Sequence, residues 1–149
     1  MPIGNIRTRE VVVAKRDTTV SEAARLMRSH HVGDVVVVDE VEGRKVPCGI
    51  VTDRDIVIGL VAQGLDPDTI TVSDLMTTEI LVARELDGVA DTLEVIRVKA
   101  VRRMPIVDAL GTLVGIVTAD DLLQLLSEEM SALAAMINRE QRREVTVRK

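Results

Sequence analysis

The sequence predicts an α+β fold made of two copies of one βαββα unit related by pseudo-two-fold symmetry, and three observations predict it. Residues 14–39 lie over residues 83–108 without a gap, at a constant offset of 69. Gly49-Ile50-Val51-Thr52 returns as Gly115-Ile116-Val117-Thr118 at an offset of 66. Within each copy, β-branched runs alternate with a stretch whose apolar residues recur at helical spacing. Half-chains of about sixty residues would each leave an apolar face uncovered, so the two copies are expected to pack face to face.

Each copy opens on a β-branched run, residues 11–14 or 80–83. A helix follows, with Val20, Ala23, Ala24 and Met27 on one stripe in the first copy and Val89, Leu93 and Ile96 in the second. Thr19 with Glu22 is a capping box, and Gly88 with Asp91 fills the same places in the second copy. Two short strands come next, residues 35–38 and 48–51 or 105–107 and 113–117, joined by polar loops holding Gly43 and Gly111. The change of offset predicts a hairpin loop three residues longer in the first copy. A second helix begins near Asp53 or Ala119. The units span 3–63 and 76–126, joined by a turn-rich connector, 64–75, and followed by a helix and basic tail over 127–149.

Composition bounds what these units can do. The chain of 149 residues is 46% hydrophobic yet has no Phe, Tyr or Trp, so Val, Leu, Ile, Ala and Met must fill its core. A net charge of -5 argues against a nucleic-acid or anionic-membrane footprint, and stacking of bases on aromatic rings is excluded. The single cysteine, Cys48, cannot form an internal disulfide; charges occupy the first ten residues where a signal peptide needs an apolar stretch. The apolar run 56–62 is too short to span a bilayer and holds Gly59. The expectation is a cytoplasmic protein without a membrane anchor.

Two copies ending in Gly49-Ile-Val-Thr-Asp-Arg-Asp-Ile and Gly115-Ile-Val-Thr-Ala-Asp-Asp-Leu resemble the CBS-domain family, named for cystathionine β-synthase. The resemblance covers residues 3–126 and implies a tandem CBS pair, or Bateman module, whose clefts bind AMP, ADP, ATP or related adenosyl ligands such as S-adenosylmethionine or NAD(H). It also implies a regulatory role exerted on a separate protein.

The residues themselves support phosphate and sugar binding. Thr52 and Asp55, like Thr118 and Asp121, sit at a strand-to-helix junction, where unpaired N–H groups favour an anion and a hydroxyl adds a donor. An Asp one turn on can accept both hydroxyls of a ribose cis-diol. The resemblance assigns the same roles, Asp to the ribose and Thr to the phosphate. Thr-x-x-Asp is equally a variant of the capping box, and would stabilise a helix with no ligand present.

The copies differ where the first has Gly33-Asp34 and the second Arg102-Arg103-Met104-Pro105. In the family this segment faces the motif of the other copy. Arg102, Arg103 and Met104 are then expected beside Thr52 and Asp55, giving a basic site for bidentate phosphate contacts. Val32, Gly33 and Asp34 are expected beside Thr118 and Asp121, where the Asp34 carboxylate opposes phosphate and Lys15 or Arg16 could offset it. The first cleft is therefore expected to bind nucleotide more tightly.

Other candidates are weaker. His30 and His31 diverge by about 100° on a helix and cannot share a metal, so no metal site is expected. Cys48 occupies the place of Val114 and reads as a small apolar residue. No nucleophile and base pair is visible, so catalysis is not expected. Residues 55–62 are apolar nearly all round and Leu122, Leu123, Leu125 and Leu126 repeat the pattern, which predicts a homodimer joined through these helices. Met130, Leu133, Ala134 and Ile137 continue the stripe, and residues 139–149 carry a net charge of +3. A structural dimerisation module with empty clefts is the alternative function.

Overall fold

The computed structural model describes residues 1–8 and 10–148; Lys149, counted in the basic tail, lies outside them. The first copy forms β1 (Val13–Ala14), α1 (Val20–His30), β2 (Asp34–Val41), β3 (Arg44–Thr52) and α2 (Asp53–Ile56), the last running on through a π-helical turn, Val57–Val61. A short helix, α3 (Val72–Leu75), precedes the second copy: β4 (Ala83–Arg84), α4 (Val89–Lys99), β5 (Arg103–Val107), β6 (Leu113–Thr118) and α5 (Ala119–Val147). Each copy makes a three-stranded sheet, β1-β2-β3 or β4-β5-β6, with the first pair parallel and the second antiparallel. The mixed α+β architecture and its internal duplication are as the repeat predicts.

The helices α1 and α4 turn the same positions toward the core. Val20, Ala23 and Met27 of α1 are buried, and at the equivalent places of α4 Thr92 and Ile96 are buried and Val89 is half-buried. Thr92, not the expected Leu93, therefore faces the core, and its hydroxyl is satisfied by donating to the Gly88 carbonyl at 2.9 Å. Ala24 is likewise exposed. Thr19 and Glu22 do form a reciprocal capping box (3.2 and 3.0 Å), whereas Gly88 has no side chain with which to cap α4. Both helices end in a left-handed residue, His31 and Ala100, each at φ 53°.

The hairpins differ in the opposite sense to the expectation. The three extra residues of the first copy lengthen the ladder between β2 and β3, which closes on a two-residue turn, Glu42-Gly43, while β5 and β6 are joined by residues 108–112. Glu42 and Gly43 both have positive φ (52° and 75°), the geometry whose twist matches a right-twisted hairpin. Both antiparallel ladders slip by one residue at the same point, leaving Cys48 and Val114 as equivalent bulge positions.

The copies exchange their leading segments. A 3-10 turn, Ile3–Asn5, packs on the second copy, with the Ile3 and Gly4 N–H groups donating to the Asp87 and Glu85 carbonyls at 2.7 and 2.9 Å. The connector turn α3 packs on the first, where Val72 N–H donates to the Thr18 carbonyl at 2.8 Å. Ile3 accordingly belongs to the core of Ala83, Ile96, Met104, Ile106, Val117 and Leu122, and Val72 to that of Ala14, Ala23, Met27, Val35, Val37 and Val51. A third cluster, Val36, Val38 and Ile116 with Val11, Val13, Ile50 and Leu113 against it, is drawn from both copies and forms the seam between them.

These crossings explain the glycine that opens each Gly-Ile-Val-Thr string. Thr8 exchanges backbone hydrogen bonds with Ile116 (2.9 and 3.0 Å), and Thr77 donates to the Ile50 carbonyl at 3.2 Å. A Cβ on Gly115 would collide with the Arg7 side chain and lie 2.9 Å from the Thr8 carbonyl oxygen. A Cβ on Gly49 would lie 2.6 Å from Met76 Sδ and 3.0 Å from the Thr77 carbonyl oxygen.

Among the described residues no helix is long and apolar enough to cross a membrane. Leu60 is buried, but Val57, Ile58 and Val61 are exposed, as are Leu123 and Leu126 of α5. From Leu126 onward α5 is exposed on every side.

Candidate functional site

Crossing of the leading segments creates two clefts along the seam. The first, of about 190 Å³, is lined by Ile50 and Thr52 at the end of β3, Asp55 of α2, Thr77, Glu79, Ile80 and Leu81 leading into β4, Val101 and Arg102 after α4, and Arg103 at the start of β5. The second, of about 220 Å³, is lined by Thr8, Glu10, Val11 and Val12, by Val32, Gly33 and Asp34, by Ile116, Thr118 and Asp120, and again by Arg102 and Arg103. The linings are related by the repeat: Thr8, Glu10, Val11 and Val12 stand where Thr77, Glu79, Ile80 and Leu81 stand in the other copy, and Val32 where Val101 stands.

Thr52, Asp55, Arg102 and Arg103, expected together, are brought to one cleft. Thr118, Val32, Gly33 and Asp34 are brought to the other, but Asp121 is not among its lining residues, where its neighbour Asp120 stands. Two further expectations are corrected. Met104 is buried in the core of the second copy, because alternation along β5 turns it inward once Arg103 faces the seam. Arg16 reaches neither cleft: Asp39 accepts both its Nε and Nη2 hydrogens, at 2.7 and 2.9 Å, and holds it in a shallow depression with Lys15 and Asp17. This hydrogen-bonded pairing holds the Asp39 carboxyl below its ordinary pKa.

Each junction pair forms a reciprocal cap. Thr52 N–H donates to Asp55 Oδ2 at 2.8 Å and Asp55 N–H donates to Thr52 Oγ1 at 3.1 Å. Thr118 and Asp121 repeat both bonds at 2.8 and 3.1 Å. At the start of α3, Thr71 N–H also donates to an aspartate, Asp74, at 3.0 Å, yet α3 lines neither cleft. Thr-x-x-Asp thus caps a helix start away from the clefts as well, and position on the seam distinguishes the junction copies.

Charge is distributed unequally. Arg103 forms an ion pair with Asp34, and Arg102 approaches Asp120 at 3.9 Å. Burial pushes the Asp34 carboxyl above its ordinary pKa, and the Arg103 guanidinium pulls it part of the way back. Among the described residues, the second cleft carries three carboxylates, Glu10, Asp34 and Asp120, against the same two arginines that face Asp55 and Glu79 in the first.

Thr8, Glu10, Val11 and Val12, and Thr77, Glu79, Ile80 and Leu81, are the part of each lining that the motifs do not mark. A signal was present: Thr8-Arg-Glu-Val-Val-Val-Ala lies over Thr77-Thr-Glu-Ile-Leu-Val-Ala at the same offset of 69, so the repeat begins earlier than residue 14.

The family model for the CBS domain matches this chain twice, over residues 3–62 and 72–128. The chain belongs to the CBS-domain family. This CBS pair is 38% identical over 123 residues to an uncharacterized protein of Methanopyrus kandleri, a match covering 83% of this chain and 61% of that protein, so it spans less than two thirds of that relative's length. Among solved structures it resembles a CBS domain protein of Pyrobaculum aerophilum complexed with AMP, with TM-score 0.74 and 25% identity over 85% of this chain and 99% of that one. It also resembles the CBS domain pair of protein MJ0100 in complex with 5-methylthioadenosine and S-adenosyl-L-methionine, with TM-score 0.75 and 26% identity over 87% of this chain and 98% of that one.

Proposed function

We propose that this CBS pair is a non-catalytic sensor that binds an adenosine nucleotide in its clefts and signals its occupancy to a separate protein partner. One observation carries the reading: the first cleft gathers a hydroxyl and a carboxylate from one copy and two guanidinium groups from the other. A phosphorylated ribose presents the complementary groups, a cis-diol for Asp55 and an anion for Thr52, Arg102 and Arg103. AMP and S-adenosyl-L-methionine in structural neighbours support an adenosyl ligand. Because the cleft walls come from both copies, a ligand that prefers one arrangement of the copies shifts the pair toward it. The protein acts as a cytoplasmic homodimer joined through the exposed Val57, Ile58, Val61, Leu123 and Leu126.

A second reading is favoured by one observation, that Thr52 and Asp55 already satisfy each other as a cap. On that reading the module only dimerises and its clefts stay empty. Calorimetric titration of AMP, ADP, ATP, S-adenosylmethionine and NADH into the wild type and Asp55→Asn separates the two. Asparagine retains an oxygen to accept the Thr52 N–H but loses the carboxylate, so affinity should fall at least about tenfold while folding is kept. A wild type that binds none of the five, or a variant that binds as tightly, overturns the sensor reading.

A further inference from the structure

Positions 34 and 103 are equivalent across the repeat, and the structure brings them into contact. One is an aspartate and the other an arginine, so the pseudo-symmetric meeting point of the two copies is an ion pair. Arg103 lines both clefts, whereas Asp34 lines only the second. Their side chains are 30% and 16% exposed, which shields the pair from solvent far more than an ordinary surface bridge. Gly33 leaves room for the contact, since a Cβ there would lie 3.4 Å from Arg103 Nη2 and 3.2 Å from Asp53 Oδ2. Asp53 adds a second negative charge that acts on Asp34 beside Arg103.

An anion in the first cleft and the Asp34 carboxylate compete for one guanidinium. Arg102, the other cation of the first cleft, is highly exposed and its partner Asp120 stands 3.9 Å away, so Arg103 is the better shielded of the two donors for a phosphate. Resting on the nucleotide-binding reading above, we propose that the Arg103–Asp34 pair couples the two clefts. A phosphate in the first draws Arg103 from Asp34, and the released carboxylate turns the second cleft against anions and toward an uncharged or cationic adenosyl ligand. Glu10 and Asp120 in the second lining reinforce that preference. By linkage, a second-cleft ligand whose affinity is raised by phosphate in the first cleft strengthens phosphate binding there by the same factor.

The distinguishing variant is Asp34→Asn, which alters a residue outside the first cleft. Calorimetry with AMP and with adenosine, which lacks the phosphate, reads the effect. Removing the competing carboxylate should tighten the stronger AMP site by about fivefold or more, a typical coupling strength, and leave adenosine at that site within about twofold. A variant in which AMP is unchanged or weakened, or in which adenosine shifts as much as AMP, overturns the coupling; the latter result would mark Asp34 as merely structural. Should the variant not fold, the wild type still decides. AMP should fill one cleft per chain, and S-adenosylmethionine should add one further equivalent to the AMP-loaded protein. AMP filling both clefts with equal affinity overturns the proposal while leaving nucleotide binding intact. No binding of AMP or adenosine to the wild type overturns both readings together.

Discussion

Gly49→Ala tests whether the crossing of the leading segments builds the first cleft. The added methyl would stand 2.6 Å from Met76 Sδ, 2.9 Å from Met76 Cγ and 3.0 Å from the Thr77 carbonyl oxygen, and real Cβ contacts do not approach so closely. Met76 is buried and Thr77 is tied by its own N–H to the Ile50 carbonyl, so neither can retreat without moving the strand that follows. Overpacking of one methyl in such a site costs about 1–3 kcal/mol. For a chain of this size that corresponds to a fall in Tm of roughly 2–4 °C per kcal/mol, or about 2–12 °C. The displaced segment continues into Glu79, Ile80 and Leu81, which line the first cleft, so AMP affinity should fall together with stability. Thermal melts followed by far-ultraviolet circular dichroism give the first quantity, since the chain has no aromatic residue to report by fluorescence, and calorimetry gives the second. Gly115→Ala makes the equivalent collision with Arg7 and Thr8 at the second cleft, and serves as the matched comparison. A Gly49→Ala protein with unaltered Tm and AMP affinity would refute the close-approach reasoning.

Three other outcomes follow from the geometry. Thr19→Ala and Thr52→Ala each remove a hydroxyl that accepts an N–H at a helix start (3.2 and 3.1 Å), so each should lose about 1 kcal/mol in urea melts, but only Thr52→Ala should weaken AMP binding. Ala100→Gly relieves a left-handed residue at φ 53° closing α4, and should raise stability by about 0.5–1 kcal/mol in the same assay. The pH dependence has two opposed parts. The Asp39 pKa is depressed by Arg16, so its contribution to stability is present above the unfolded value of 3.8 and is lost as pH falls through the folded value. Asp34, raised by burial, contributes most below 3.8 and loses that contribution as pH rises through its folded value. Urea melts across this range should show Arg16→Ala flattening the acid-side loss and Asp34→Asn removing the loss on the rising side.

Local chemistry made much of the molecule legible from its residues. The caps at Thr19, Thr52 and Thr118 depend on neighbours within a few positions, and the duplicated unit shows as the sequence's likeness to itself at a fixed offset. Periodicity and capping therefore report them directly. The readings that failed locally failed for equally local reasons. Gly88 cannot cap because it has no side chain, and Thr92 could be buried because a carbonyl one turn back accepts its hydroxyl. The hairpin was misjudged because three extra residues can lengthen either a loop or a ladder, and Glu42-Gly43 adopts the positive φ angles that let the ladder win.

What the amino-acid order determined by itself was the repeat, its element types and the residues at each strand-to-helix junction. Only the tertiary structure decided which side chains share a cleft. Residues 3–8 cross to the second copy and residues 71–77 to the first. Arg103 meets Asp34 across the seam, Arg16 is captured by Asp39, and Met104 turns into the core. Those outcomes are contests among partners distant in sequence but close in space, settled by burial and charge at distances of a few ångströms, and no local pattern encodes their result.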